Sequence, residues 1–249
     1  MGGIMRNICI LFLFFFSITL LFLLTEPALC QTETFYTILN SMKQKFDTIE
    51  DYKCIYESHT SDGKKRQDVT YKYFFKKPKL IRMEVQTGKY AGTVLIYNQP
   101  IYQNKVRVKL GKRALPFFIP RFLVKKSYPV NHKWFTDLRG NGIHQSDWGW
   151  FIDEHLRIAQ LKDNPYEIEY KGEETINGRE AVIYMLISNI PEETISVRKE
   201  ILWIDIENYI LIKYIQYDSS ENVIRKSHYK NIELDNNFKK EIFTRFKRK

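Results

Sequence analysis

The feature that most constrains this chain is an alternation of apolar and polar side chains that runs with few breaks from Asp51 to Leu234. Val69, Tyr71, Tyr73 and Phe75 share one face of an extended segment, and Lys72 and Lys76 share the other, because successive side chains of a strand point to opposite sides. Val106, Val108 and Leu110 alternate with Lys105, Arg107 and Lys109 in the same way. Further strands are expected over 80–86, 93–97, 101–110, 166–171, 181–188, 200–205, 209–217 and 223–234, parted by turn residues. Asn177-Gly178 is a strong two-residue hairpin signal, since both central positions of such a turn need positive φ. The pattern predicts one antiparallel domain with one dry and one wet face. In 181–187 and 201–206 apolar residues stand on both faces, so these strands need cover on both sides.

Two segments follow a helical period instead. Phe35, Ile38, Leu39, Met42, Phe46 and Ile49 recur every three or four residues and form one stripe. A second helix is expected from Asp147 to Leu161, with Trp148, Phe151, Ile152, His155 and Ala159 on one side and Asp147 placed to cap its start. Between Gly111 and Gly142, Pro116, Pro120 and Pro129 speak against a continuous ladder or helix. That stretch contains an apolar loop, Ala114 to Val124, including Phe117, Phe118, Ile119 and Phe122, flanked by Arg121, Lys125 and Lys126 among other basic residues. Three readings stay open: core cover for the late strands, a mobile flap over a cavity mouth, or a patch that meets a membrane surface.

At the N-terminus, Arg6 precedes an apolar run from Ile8 to Leu24, and Pro27 then leads to Ala28-Leu29-Cys30. Residues 1–30 are expected to be a signal peptide cut after Cys30, leaving a single domain over 31–249. An uncleaved membrane anchor and a lipidated Cys30 are the alternatives. After a cut there, Cys54 is the one remaining cysteine of three, so no internal disulfide forms and Cys54 reads as a small buried hydrophobe. The formal charge of +10 is unchanged by that cut, because it removes Arg6 and Glu26 together. An exported basic protein is expected to meet anionic membrane surfaces or acidic partners rather than nucleic acid. The basic C-terminal end reads as solvated.

No phosphate-binding glycine loop, nucleophile elbow or zinc-protease helix motif is present. His144, Asp147, Asp153, Glu154 and His155 form the one group with metal-ligand chemistry, but Asp153 and His155 point apart on a helix. A solvated helix face with His155 packed beside Trp148 is the simpler reading, and neither a metal nor another cofactor is expected. Arg82 has two readings. Its alternation with Ile81, Met83 and Val85 puts it on the face away from their core, or it points into a hollow and clamps a loop carbonyl or a lipid phosphate through its fork of donors.

Lys77-Pro78-Lys79-Leu80-Ile81-Arg82-Met83-Glu84 resembles a strand of the LolA-type lipoprotein carriers and outer-membrane lipoprotein-sorting proteins. Leu202-Trp203-Ile204-Asp205, followed by the segment from Asp218 to Asn231, resembles that family's closing strands. The likeness spans most of 33–243, while the middle segment from Gly111 to Leu161 is longer and more basic than in the lipoprotein shuttle. The resemblance implies an α+β, mainly antiparallel fold: an unclosed, curved barrel of about eleven strands with an N-terminal and a middle helix plugging the concave face. It also implies that Arg82 ties the lid to the barrel until an acyl chain enters. The resulting expectation is a periplasmic or membrane-tethered binding protein, not an enzyme, that takes lipid or lipoprotein acyl chains. Arg82, Tyr71, Tyr73, Phe75, Trp148, Phe151, Ile152 and Trp203 are the candidate ligand-binding or lid-closing residues. Phe117, Phe118, Ile119, Arg121, Phe122, Lys125 and Lys126 are the candidate flap. The alternatives are a protein-binding or sensor role on the same scaffold and, resting only on His144 and its carboxylate neighbours, an envelope hydrolase.

Overall fold

A computed structural model describes residues 28–88, 90–112, 125–161, 165–191 and 195–246, with the side chains of 28–34 and 125 excepted. Residues 1–27 and the apolar loop with Phe117, Phe118, Ile119, Arg121 and Phe122 lie outside the described residues. The alternating segments become β1 (Asp51–Ser61), β2 (Arg66–Lys76), β3 (Leu80–Val85), β4 (Val94–Asn98), β5 (Lys105–Lys109), β6 (Lys125–Pro129), β7 (Tyr166–Ile176), β8 (Arg179–Ser188), β9 (Lys199–Asp205), β10 (Ile210–Tyr217) and β11 (Val223–Leu234). They form one sheet in the order β6-β5-β4-β3-β2-β1-β11-β10-β9-β8-β7. Two meanders are thus sewn together where β1 pairs with β11, and β6 and β7 remain as edges.

Among the described residues three α-helices accompany the sheet: α1 (Ala28–Thr48), a single turn α2 (Gln99–Tyr102) and α3 (Trp148–Ala159). α2 replaces the start of the strand expected from Ile101, because Asn98 Oδ1 accepts the Ile101 N–H at 3.2 Å and opens a turn instead. The hairpin at Asn177-Gly178 has φ of 53° and 76° and joins Ile176 directly to Arg179, the two-residue turn its sequence demands.

One continuous core lies between the sheet and the two long helices. Phe35, Leu39 and Met42 of α1 and Trp148, Phe151, Ile152 and Ile158 of α3 meet Tyr52, Tyr73, Phe75, Ile81, Tyr97, Leu202, Ile204 and Tyr229 of the sheet. α1 and α3 approach so closely at Gly149 that a Cβ there would stand 2.5 Å from the Phe46 ring. The helices therefore plug the face that carries Tyr71, Tyr73 and Phe75. The opposite face has two smaller apolar clusters, one around Trp203 and Ile212 and one around Phe74, Leu80 and Phe243.

Candidate functional site

The plugged face is unevenly filled. At one end Trp148 stacks on Tyr52 with ring centroids 4.0 Å apart and 12° between planes, and Tyr52 stacks in turn on Phe75 at 5.0 Å. Asp147 starts the helix that delivers Trp148. Its Oδ1 accepts the Trp150 N–H at 3.0 Å, and its Oδ2 lies 3.3 Å from Lys79 Nζ. Burial raises its carboxyl above the usual range, against the pull of Lys79.

At the other end the helices leave a cavity of about 600 Å³. Tyr56, Tyr71, Met83, Val85, Leu95 and Leu110 line its sheet side, and Trp134, Phe135, Ile143 and Phe151 close it from above. These residues fall together because β2, β3 and β4 are in register: Tyr71 faces Val85, Tyr73 faces Met83, and Met83 faces Leu95. Among the described residues the cover at this end is largely a loop over 130–142, with Trp150 and Phe151 of α3 at its border. Asp137 folds that loop by accepting the N–H groups of Arg139 at 2.8 Å and Asn141 at 2.9 Å on Oδ1. Trp134 lines the cavity and is still 69% exposed, so it stands at a mouth.

A polar row crosses the same face beside this cavity. Arg225 pairs in register with Gln216, Gln216 with Glu200, and Glu200 with Leu186. Arg225 is buried and its Nη2 lies 2.6 Å from Asp137 Oδ2. Glu200 is buried under α3, where its Oε2 meets His155 Nε2 at 2.9 Å and its Oε1 accepts from Gln216 at 3.0 Å. His155 Nδ1 lies 2.9 Å from the Phe151 carbonyl and donates to it, so a proton also lies between Nε2 and Glu200. Burial works against a charged imidazole, but the Glu200 carboxylate outweighs it and holds His155 above its usual range. A second, smaller cavity of about 330 Å³ opens over this row.

The sequence-predicted residues divide into three groups. Tyr71 and Phe151 line the large cavity. Tyr73, Phe75, Trp148 and Ile152 belong to the filled end, where they are buried among each other and the helices. Arg82 and Trp203 stand on the opposite face, and the reading that places them at the hollow is corrected. Arg82 is 1% exposed. It donates from Nε to Glu84 at 2.7 Å, from Nη1 to the carbonyls of Ile242 and Arg245, and from Nη2 to that of Phe246. Its guanidinium thus binds one carbonyl of the helical turn at Lys240–Phe243 and two in the segment just after it. Arg107, in the same register row across Ile96, donates to the Thr244 carbonyl at 2.7 Å. The segment 238–243 is therefore not solvated as expected: Phe238, Ile242 and Phe243 pack on Phe74 and Leu80. Trp203 is covered by Lys213, whose Nζ lies 3.8 Å from its ring centroid, and by Glu174, which accepts its indole N–H.

Of the expected flap, Lys125 and Lys126 are in β6, and Lys126 is exposed at the sheet edge opposite Val108. His155 packs on Phe151, with centroids 4.1 Å apart, and not beside Trp148. Among the described residues no group of three or more His, Cys, Asp or Glu could hold a metal ion. Cys54 is buried, and burial pushes its thiol up, as a small core hydrophobe requires. The residues that sequence reasoning missed are Tyr56, Leu95, Arg225 and Glu200. Their signal was parity: Arg225, Ser227 and Tyr229 alternate along β11, and Tyr56 faces Tyr229 across β1.

Fold and site together define an open, helix-plugged antiparallel barrel with a hollow on its concave side. No family model matches the chain, and no curated protein matches it. Among solved structures it is similar to an uncharacterized conserved protein from Thermus thermophilus, with 9% identity, a TM-score of 0.49, and 85% of this chain and 93% of that one covered. It is also similar to the lipoprotein LppX of Mycobacterium tuberculosis, with 11% identity, a TM-score of 0.45, and 82% and 97% covered. A third is an outer membrane lipoprotein-sorting protein domain from Vibrio parahaemolyticus, with 11% identity, a TM-score of 0.40, and 87% and 97% covered.

Proposed function

We propose that this protein is an exported carrier that binds lipid, or the acyl chains of a lipoprotein, for transfer or sorting in the cell envelope. The observation that carries this reading is the hollow of about 600 Å³ under the 130–142 loop. Its size falls in the range of about 300–1,000 Å³ typical of small-molecule sites. Its wall includes Tyr56, Tyr71, Met83, Val85, Leu95 and Phe135 beside a polar border with Arg66, Asp68 and Asp137, and the apolar part offers an acyl chain dispersion contacts and shelter from water. Each methylene moved from water into such a wall contributes about 0.8 kcal/mol, so a single long chain binds firmly with no reacting group. Tyr71 and Phe151 are the sequence-predicted residues that would touch it, and Trp134 marks its way in.

The test is to purify the full chain from expressing cells under non-denaturing conditions, extract it, and identify lipids by mass spectrometry against a mock purification. A stoichiometric lipid is the expected result. Protein that carries none and takes up none from mixed vesicles refutes the reading.

A further inference from the structure

The two cavities are neighbours of different character. The larger has the bigger share of aromatic and aliphatic side chains, with Arg66, Asp68, Asp137 and Asp147 among its polar ones, whereas the smaller sets Arg139, Arg157, Arg198, Lys199, His155 and Glu200 beside apolar residues such as Ile158 and Leu186. Both are lined by Asn141, Gln145, Trp150, Phe151, Tyr214 and Arg225. A more apolar chamber therefore abuts a more basic one, and Arg225 is the charged side chain common to both.

Arg225 is an unusual residue to find on the inner face of such a sheet. It is 8% exposed and its register neighbours are Thr60 on one side and Gln216 on the other. Its desolvation is offset by the carboxylate of Asp137 at 2.6 Å. That carboxylate comes from a covering loop and not from the sheet. Asp137 Oδ1 is engaged with the loop's own N–H groups, and Oδ2 takes the guanidinium together with a longer contact from the Asn141 side-chain amide at 3.3 Å. The loop thus presents a single anion to a preformed, already desolvated Arg.

We propose that Arg225 is the receptor for the anionic headgroup of an amphiphile whose chain lies in the large cavity, and that Asp137 occupies this position until the ligand replaces it. This inference rests on the reading of the large cavity as an acyl site. Exchange of one oxyanion for another leaves Arg225 paired throughout, so the guanidinium is not stripped of a partner a second time. Around the smaller chamber Arg157 is paired to Glu154 and Lys199 to Glu221, and Arg139 and Arg198 then outweigh Glu200, a modest positive excess that favours a carboxylate or phosphate ester over a zwitterionic or neutral head.

The test compares a long-chain fatty acid with its methyl ester of equal length at neutral pH, on the full chain, with inorganic phosphate as a third ligand. The acid should bind about tenfold tighter than the ester, the size of one charge-assisted hydrogen bond. R225Q should bring the acid down to the ester's affinity and leave the ester unchanged. D137N keeps an oxygen to fold the loop but removes the competing charge, so it should tighten the acid several-fold and not the ester. A purely structural Arg225–Asp137 pair would weaken both ligands in both variants, and so overturn the proposal even where R225Q folds poorly. Equal binding of acid and ester by the unaltered protein also overturns it while leaving the acyl cavity standing. Phosphate binding as tightly as the acid would make the site one for free anions and overturn the amphiphile. Binding of neither acid nor ester removes the cavity reading and this one with it.

Discussion

The two ends of the hollow are built on the same face of the same strands, yet one is solid and the other is open. β2 contributes Phe75 and Tyr73 to the solid end and Tyr71 to the open one, with β3 following in register as Ile81, Met83 and Val85. The difference lies in what comes down from above. Over Phe75 the helices α1 and α3 cross, close enough at Gly149 to bar a Cβ, and insert Trp148 between Tyr52 and Tyr229. Over Tyr71, among the described residues, the cover is the 130–142 loop, held by Asp137, together with Ile143 and the edge of α3 at Trp150 and Phe151. A helix brings a side chain to the face every three or four residues, and a loop folded on its own polar groups does not. The lesson is that a sheet with uniform alternation encloses space wherever its cover changes from helix to loop.

Four changes would break or sharpen this comparison. The largest effect is expected from Trp148→Ala at the solid end, a loss of about 3–5 kcal/mol of stability, since a buried aromatic leaves a cavity its neighbours cannot close. Urea unfolding measures it, and a loss below 1 kcal/mol would mean that this end is no better packed than the other. Next comes Arg82→Met on the outer face. It leaves the carbonyls of Ile242, Arg245 and Phe246 without their donor and is expected to cost about 1–3 kcal/mol, to expose 238–246 to limited proteolysis, and to leave acyl binding as it was. Loss of acyl binding without a change in stability would restore Arg82 to a lid role.

Smaller still is the stability change from Leu95→Trp at the open end. Overpacking a filled core costs about 1–3 kcal/mol, and here the indole enters existing space, so unfolding should move less than that while acyl affinity falls at least about tenfold. The smallest effect concerns the polar row beside the open end. Because His155 is held above its ordinary range by Glu200, its contribution to stability is complete below about pH 6.5, the unfolded value. It is lost as the pH rises through the higher folded value. Unfolding midpoints should therefore decline above that point in the native protein. Glu200→Gln should flatten the decline, and an unchanged slope would assign it to other groups.

Much of this was legible in advance. The strand alternation, the Asn177-Gly178 hairpin, the helix capped by Asp147 and the inward set Tyr71, Tyr73 and Phe75 all follow from period and turn chemistry, which are local. What was not legible depends on distant partners. β6 is five residues, Lys125–Pro129, with no alternation to betray it, and exists because β5 offers it an edge. Parity placed Arg82 opposite Ile81 and Met83, but only the C-terminal turn, some 160 residues on, decides that the opposite face is covered by the chain's own end. Arg225 carried the right parity with Tyr229, yet nothing in the neighbourhood of Asp137 announces that its carboxylate will meet that guanidinium. The filled and open ends likewise share one pattern, and their contrast resides in the cover.

The most direct test is an equilibrium titration of the full chain with a fluorescent single-chain fatty acid, followed by displacement with an unlabelled one. The account predicts saturable binding of one chain per molecule, full displacement, and a blue shift of tryptophan emission as Trp134 and Trp150 at the cavity wall lose water. A linear, non-displaceable signal, with tryptophan emission unmoved, would contradict it.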